Sequence, residues 1–204
     1  MSSKDIERRI RGARASFGKR SAEAARKLAE SAGSSGLLDI AYTETDSPFG
    51  PLFVAVTRRG LVRLAYPNED RDEVLEELSA DVSPRVLESP VQLDEVRRQL
   101  DEYFAQRAQG FDLEIDYALT HGFTRKVLRA TARIPYGELT TYRVVATRAG
   151  SPRGSRAAGN ALGSNPIPIV VPCHRVIHTS GGLGGYTGGL DRKEFLLHLE
   201  GSLE

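Results

Sequence analysis

The stretch Thr140-Thr141-Tyr142-Arg143-Val144-Val145-Ala146-Thr147-Arg148-Ala149-Gly150-Ser151-Pro152-Arg153-Gly154-Ser155-Arg156-Ala157-Ala158-Gly159-Asn160-Ala161-Leu162 reads as two short helices around a tight turn. Thr140 or Thr141 can cap the first helix, which ends near Ala149-Gly150. Ser151-Pro152-Arg153-Gly154 then turns the chain, and Gly163-Ser164-Asn165-Pro166 stops a second helix over residues 155–162. This is helix-turn-helix spacing. The second helix is almost entirely small, with Arg156 as its single long side chain. Two readings fit: a helix packed tightly inside the protein with Arg156 paired to a carboxylate, or one that enters the minor groove of B-DNA, whose width of about 6 Å excludes bulky side chains.

Just beyond lies Ile167-Pro168-Ile169-Val170-Val171-Pro172-Cys173-His174-Arg175, which holds the only cysteine of the chain. A lone cysteine forms neither an internal disulfide nor a thiolate zinc cage, so Cys173 is either an inert buried thiol or a nucleophile. A free thiol, with a pKa of about 8.5, is mostly protonated at neutral pH, and the neighbouring imidazole of His174 is a group that can activate it. Adjacent residues of an extended strand point to opposite faces. The two side chains therefore meet only if Pro172 ends the strand and the chain turns there, or if a water bridges them.

The 204 residues carry 28 Lys+Arg against 27 Asp+Glu, a net charge of +1 that hides a strong asymmetry. Residues 1–36 hold 9 basic and 4 acidic side chains (+5), residues 37–120 hold 8 and 18 (−10), and residues 121–204 hold 11 and 5 (+6). The end containing Cys173 is thus attracted to a polyanion and the middle is repelled by it; two charge-complementary domains packed together would show the same division. No apolar run approaches the roughly 20 residues that span a bilayer, and no signal-peptide core is present, which predicts a soluble cytoplasmic protein with no membrane partner.

Ile6, Ile10, Ala13, Phe17, Ala24 and Leu28 recur at helical spacing, and Ser31-Ala32-Gly33-Ser34-Ser35-Gly36 reads as a linker, so residues 1–36 form an appended segment. A first domain over residues 37–118 opens with strands over 38–43, 52–57 and 61–66. Arg58-Arg59-Gly60 joins the last two, and a three-stranded antiparallel sheet results. Helices follow over 70–78 and 91–107, the second with Leu93, Val96, Leu100 and Phe104 on one face. A second domain over residues 119–204 contains a helix over 124–132, the helix pair, and a final helix over 191–200.

The block Asn165-Pro166-Ile167-Pro168-Ile169-Val170-Val171-Pro172-Cys173-His174-Arg175-Val176 is preceded by Arg156-Ala157-Ala158-Gly159 and followed by Gly185-Tyr186-Thr187-Gly188-Gly189. In order and spacing these blocks resemble the O6-alkylguanine-DNA alkyltransferases, also called methylated-DNA-protein-cysteine methyltransferases. The resemblance runs from about Leu38 to Gly201 and includes Asp46-Ser47-Pro48-Phe49-Gly50-Pro51-Leu52, Tyr103-Phe104 and Ile134-Pro135-Tyr136-Gly137-Glu138. It implies an α+β fold: an N-terminal domain with a small antiparallel three-stranded sheet plus helices, and a mostly helical, winged-helix-like C-terminal domain with the helix-turn-helix. Gly154-Ser155 stand where the family usually has two alanines, and Ala158 where it usually has valine.

The resemblance implies a DNA-repair protein that acts once. It removes the alkyl group of O6-alkylguanine, and of O4-alkylthymine, onto its own cysteine, without a cofactor or metal, after binding double-stranded DNA as a monomer through the minor groove and flipping the damaged base. On the matching positions, Cys173 is the nucleophile and His174 the base acting through water. Glu200 orients that imidazole. Its place in the last turn of a helix, where the macrodipole disfavours an anion, is explained by a cationic or hydrogen-bonding partner; a solvated terminal carboxylate is the alternative. Arg156 is the finger that fills the vacated stack, with Ala157 and Gly159 on the same DNA-facing helix. Tyr142 presses on the 3′ phosphate and assists the leaving base, and Thr124 and Thr179 meet the backbone. Asn165 ties the recognition helix to the active-site turn. Val176, Tyr186, Thr187, Pro168 and Gly184 form the substrate pocket, where carbonyls of Cys173 and Val176 accept from the guanine amino group. Gly184 beside Tyr186 is expected to leave room for a benzyl-sized substituent.

Overall fold

The computed structural model describes residues 38–203. The helix and linker expected over residues 1–36 lie outside the described residues. Three strands, β1 (Ile40–Thr45), β2 (Leu52–Thr57) and β3 (Gly60–Ala65), form an antiparallel meander. Arg58-Arg59 is the two-residue connection between β2 and β3, with Thr57 opposite Gly60. Gly60 is required there: its φ is +125°, and a Cβ would stand 2.1 Å from the Glu114 carbonyl oxygen. That close approach lets residues 114–116 run beside β3 through Leu61 N–H to Glu114 O (2.9 Å) and Asp116 N–H to Leu61 O (2.9 Å).

The sheet has a fourth strand that the sequence reading lacks. β4 (Val86–Glu88) pairs parallel with β1, giving the order β3-β2-β1-β4. Three residues are too few to show the alternation by which a strand is recognised. Between β3 and β4 lies α1 (Arg71–Asp81), capped by the Asp70 carboxylate, which accepts from the backbone of Asp72 and Glu73. The long helix expected over 91–107 is divided into a 3₁₀ turn at Pro90–Leu93 and α2 (Asp94–Phe104).

Alternation along β2 separates two packing faces. Phe53 and Ala55 join Ile40, Val62, Ala65 and the α1 residues Val74 and Leu78. Leu52 and Val54 face the other way, into a larger core with Leu93, Val96, Leu100 and Tyr103. This second core does not stop at the domain boundary. It continues through Val127 and Leu128 of α3 (Gly122–Thr131), Val145 and Ala146 of α4 (Tyr142–Arg148), Ala158 and Ala161 of α5 (Ser155–Gly163), and Leu196 of α6 (Leu190–Leu199). A short parallel pair, β5 (Thr140–Thr141) with β6 (Val176–Ile177), closes the C-terminal part. Among the described residues no helix is long and apolar enough to cross a membrane.

Polar contacts also cross between the two parts. Leu64 N–H of β3 donates to Pro166 O at 2.8 Å, at the entrance of the segment that leads to Cys173, and buried Arg63 reaches the same oxygen at 3.4 Å. The sheet therefore holds the cysteine-bearing loop directly. Because Leu100 is fully buried in the shared core, Leu100→Ala should destabilise the protein by about 2–5 kcal/mol, whereas half-exposed Leu190→Ala should change it by less than about 0.5 kcal/mol, both read from urea unfolding.

Candidate active site

Thr141 caps α4, its Oγ1 accepting from Val144 N–H, and Gly150 (φ +88°) ends the helix so that Ser151 N–H can reach Ala146 O at 2.8 Å. Gly154 then opens α5. A Cβ there would meet Ser151 Oγ at 2.6 Å, which accounts for glycine where alanine was the expected residue. The small side chains of α5 serve both sides: Ala158, Ala161 and Leu162 pack inward, while Arg156, Ala157 and Asn160 lie on the surface. Arg156 forms no salt bridge among the described residues. The exposure of Arg156, Ala157 and Asn160 sets aside the alternative of a fully internal helix.

The apolar run after α5 is not a strand. Residues 167–172 coil into tight turns, with Val171 N–H to Ile167 O (2.9 Å), Val170 N–H to Pro168 O (2.9 Å) and Ile169 at φ +72°. A β-branched residue in that region is strained by about 1–3 kcal/mol. Prolines at 166, 168 and 172 remove the amide donors a sheet ladder needs, and the buried turn is satisfied locally instead. Asn165 supplies much of this: its Oδ1 accepts from Ile167 N–H (3.1 Å), and its Nδ2 donates to Val171 O (2.9 Å) and Cys173 Sγ (3.1 Å). These side-chain bonds all stay within the turn, and the end of α5 is met only by the backbone, Asn165 N–H to Leu162 O at 3.3 Å.

Cys173 and His174 lie on a 3₁₀ turn, Cys173–Arg175, and are buried. Burial pushes the Cys173 thiol up to about 11, against the opposing Asn165 hydrogen bond and the nearby Lys193 charge. Burial likewise lowers the His174 pKa, partly offset by Glu200, which leaves the ring neutral at physiological pH. Its Nε2 lies 3.0 Å from Glu200 Oε1. An ionised carboxylate only accepts, so Nε2 carries the proton and Nδ1 presents a lone pair. Nδ1 is buried without a hydrogen-bond partner among the described residues.

Glu200 caps the C-terminus of α6. Burial raises its pKa, but hydrogen bonds from His174 and Arg175 outweigh that and hold it down at about 2. Arg175 grips it as a fork, Nε to Oε2 and Nη2 to Oε1, both 2.8 Å, and Tyr103 Oη donates to Oε1 at 2.6 Å. Arg175 also donates to Ile134 O at 2.6 Å. The partner that the helix dipole demanded is thus Arg175, which the sequence reading quoted but gave no role. Tyr103 and Lys193 were missed as well. Lys193 sits in Arg192-Lys193-Glu194, which reads as a solvated charge run, yet it is fully buried and donates to Val176 O (2.6 Å) and Leu183 O.

A cavity of about 550 Å³ opens over Cys173, walled by Tyr142, Arg156, Gly159, Tyr186 and Thr187 together with the unforeseen His178. Tyr186 is fixed from the N-terminal part by a 2.7 Å hydroxyl pair with Tyr66, and Thr187 Oγ1 donates to Gly163 O at 2.9 Å. Three expected pocket residues are placed otherwise. Pro168 is buried in the turn and does not line this cavity. Val176 is behind it, one lone pair of its carbonyl taken by Lys193. Gly184 leaves no spare room: a Cβ there would stand 2.5 Å from Tyr142 Oη, so the missing side chain admits the tyrosine and not a larger substituent. Thr124 is half-buried in the first turn of α3, and Thr179 is exposed in the turn after β6.

Two family models match nearly the whole described chain. The 6-O-methylguanine DNA methyltransferase ribonuclease-like domain covers residues 40–117, and the DNA binding domain of the same description covers residues 122–202. The chain belongs to the methylated-DNA-protein-cysteine methyltransferase family. A methyltransferase of that name from Methanosarcina acetivorans is 40% identical over 161 residues, 79% of this chain and 98% of the relative. One from Mycolicibacterium paratuberculosis is 42% identical over 161 residues, 79% of this chain and 92% of its own. Among solved structures, the Mycobacterium tuberculosis O6-methylguanine methyltransferase superposes with a TM-score of 0.68 at 38% identity, covering 80% of this chain and 93% of that one. The same bacterium's protein in complex with DNA gives 0.67 at 38% identity, covering 79% and 93%.

For this methyltransferase, Glu200→Gln should lower the melting temperature at pH 7, since it leaves Arg175 buried without its counter-charge. A depressed carboxylate stabilises above its unfolded pKa, near 4.5, and loses that contribution as pH falls toward 2. The melting difference from wild type should therefore shrink across that interval in scanning calorimetry.

Proposed function

We propose that Cys173 takes the alkyl group from O6-alkylguanine, and from O4-alkylthymine, in duplex DNA, in one irreversible turnover. The observation that carries this reading is a cavity whose walls include the buried Cys173 thiol together with Arg156 and Gly159 of the surface helix α5. A base inside a duplex reaches that thiol only when flipped from the stack, at a cost of a few kcal/mol. In the proposed complex α5 enters the minor groove on its small residues Ala157 and Gly159, Arg156 fills the vacated space, and Thr124 and Thr179 contact the backbone.

In the transfer step, sulfur forms a bond to the alkyl carbon as the bond from that carbon to guanine O6 breaks, and the electron pair stays with the base. The thiol proton passes to His174 Nδ1, directly or through water, and Glu200 steadies the imidazolium that forms. Tyr142 donates to the departing base as charge develops on it. The thioether product has no leaving group that water displaces at ordinary pH, so each molecule acts once, in the cytoplasm or wherever it meets the genome.

Intact-mass measurement after incubation with an O6-methylguanine duplex should show one methyl group per protein, on Cys173. Cys173→Ala should still bind the duplex and gain nothing; a methyl group on any other side chain would sink the assignment. The pH profile separates base-assisted attack from attack by pre-formed thiolate. With a thiol pKa near 11, only about one molecule in 10⁴ is thiolate at pH 7. Base assistance by neutral His174 predicts a nearly flat single-turnover rate from pH 7 to 9, whereas His174→Ala should be slower and should gain close to tenfold per pH unit over that range.

A further inference from the structure

A second cavity, of about 650 Å³, opens between the C-terminal ends of α3 and α4 and shares no lining residue with the one over Cys173. Its charged lining is Lys126, Arg129, Arg133 and Arg148; the rest is Ala130, Ala149 and Gly150, so no carboxylate borders it. All four cations are exposed, and none forms a salt bridge among the described residues. In the N-terminal part Arg71, Arg85 and Arg98 are each paired with Glu or Asp, whereas Arg58 and Arg107, unpaired among the described residues, stand apart from one another in the sequence.

A basic residue at each helix end is ordinary complement to the macrodipole, and Arg129 and Arg148 meet that description. It does not account for Lys126 and Arg133 on the same cavity. Four like charges around one concavity repel one another, and a seated anion removes that penalty. Guanidinium forks suit a phosphate in particular. The cleft is also close to the recognition helix: Gly150 on its rim is five residues from Ser155, a separation of at most about 18 Å along the chain. At about 3.4 Å per base pair, that is some five base pairs of duplex.

We propose that this cleft seats a backbone phosphate of the duplex whose lesion reaches Cys173, outside the stretch covered by α5. The proposal rests on the DNA-binding reading above and extends its footprint. The cleft contributes affinity and salt dependence and plays no part in the chemistry at sulfur.

The test is fluorescence-anisotropy binding of a lesion-bearing duplex of about 20 base pairs over a salt series, beside single-turnover transfer at saturating duplex. For Arg133→Ala/Arg148→Ala, the dissociation constant should rise several-fold and the slope of log K against log salt should flatten by about 1 per phosphate released. The maximal transfer rate and melting temperature should match wild type. Lys126→Ala alone should move the same quantities in the same direction by less, and serves if the double variant folds poorly. Removing two distant charges, Arg58→Ala/Arg107→Ala, should leave the slope unchanged. An unchanged slope in the cleft variants, or an equal change in the distant pair, overturns the proposal, as does a cleft that binds an acidic protein segment while duplex affinity stays constant. Failure of wild type to gain an alkyl group while still binding duplex would overturn the chemistry at Cys173 and leave the salt slopes to decide the cleft.

Discussion

The buried carboxylate of Glu200 is the constraint on which the active site depends. It gathers Tyr103 from α2, His174 and Arg175 from the cysteine turn, and the end of α6 itself into one hydrogen-bonded cluster. An anion at a helix C-terminus, out of water, is unfavourable twice over, and the hydrogen bonds from His174 and the bidentate arginine together make it tenable. Once the carboxylate is held ionised, the rest follows. Nε2 of His174 must donate to it, and the basic nitrogen is left on the other side of the ring. One ion pair thus sets the tautomer of the group that would accept the thiol proton.

The thiol itself is held in its neutral form. Burial in the turn of residues 167–173 favours the neutral form, and the strained Ile169 and the Asn165 bridge hold that turn in one conformation. A low-pKa thiolate would react with many electrophiles; in the proposed reaction a protonated thiol reacts only when an alkyl carbon is delivered to it. Lys193 adds a buried cation that braces two carbonyls around the site and moderates the cost of negative charge on sulfur. The N-terminal part supports this arrangement from outside, through Tyr66 on Tyr186 and through the β3 contacts to Pro166.

Much of this was legible in the residue order. The meander was readable from alternation and the two-residue Arg58-Arg59 connection, and the helix pair from its caps, turn and stop signals. Small residues along 157–161 already limited what that helix can approach, because side-chain volume is local information. The Pro-Cys-His block singled out the candidate nucleophile, since one cysteine leaves few uses for itself. β4 was not legible because three residues carry no period, and residues 167–172 were misread as extended because apolar composition does not distinguish a strand from a buried turn.

What the order of residues determined by itself was therefore chemistry carried by single side chains and by short-range backbone preference: a solitary thiol, an adjacent imidazole, prolines that forbid a ladder, and glycines that let the chain turn. Only the tertiary structure decided which charges are buried and with whom. Arg175 and Lys193 look like ordinary surface cations in sequence, and Gly184 looks like free space beside a tyrosine, until Glu200, Val176 and Tyr142 are brought against them from residues 25, 17 and 42 positions away. Desolvation and pairing depend on through-space neighbours, which a linear pattern does not encode.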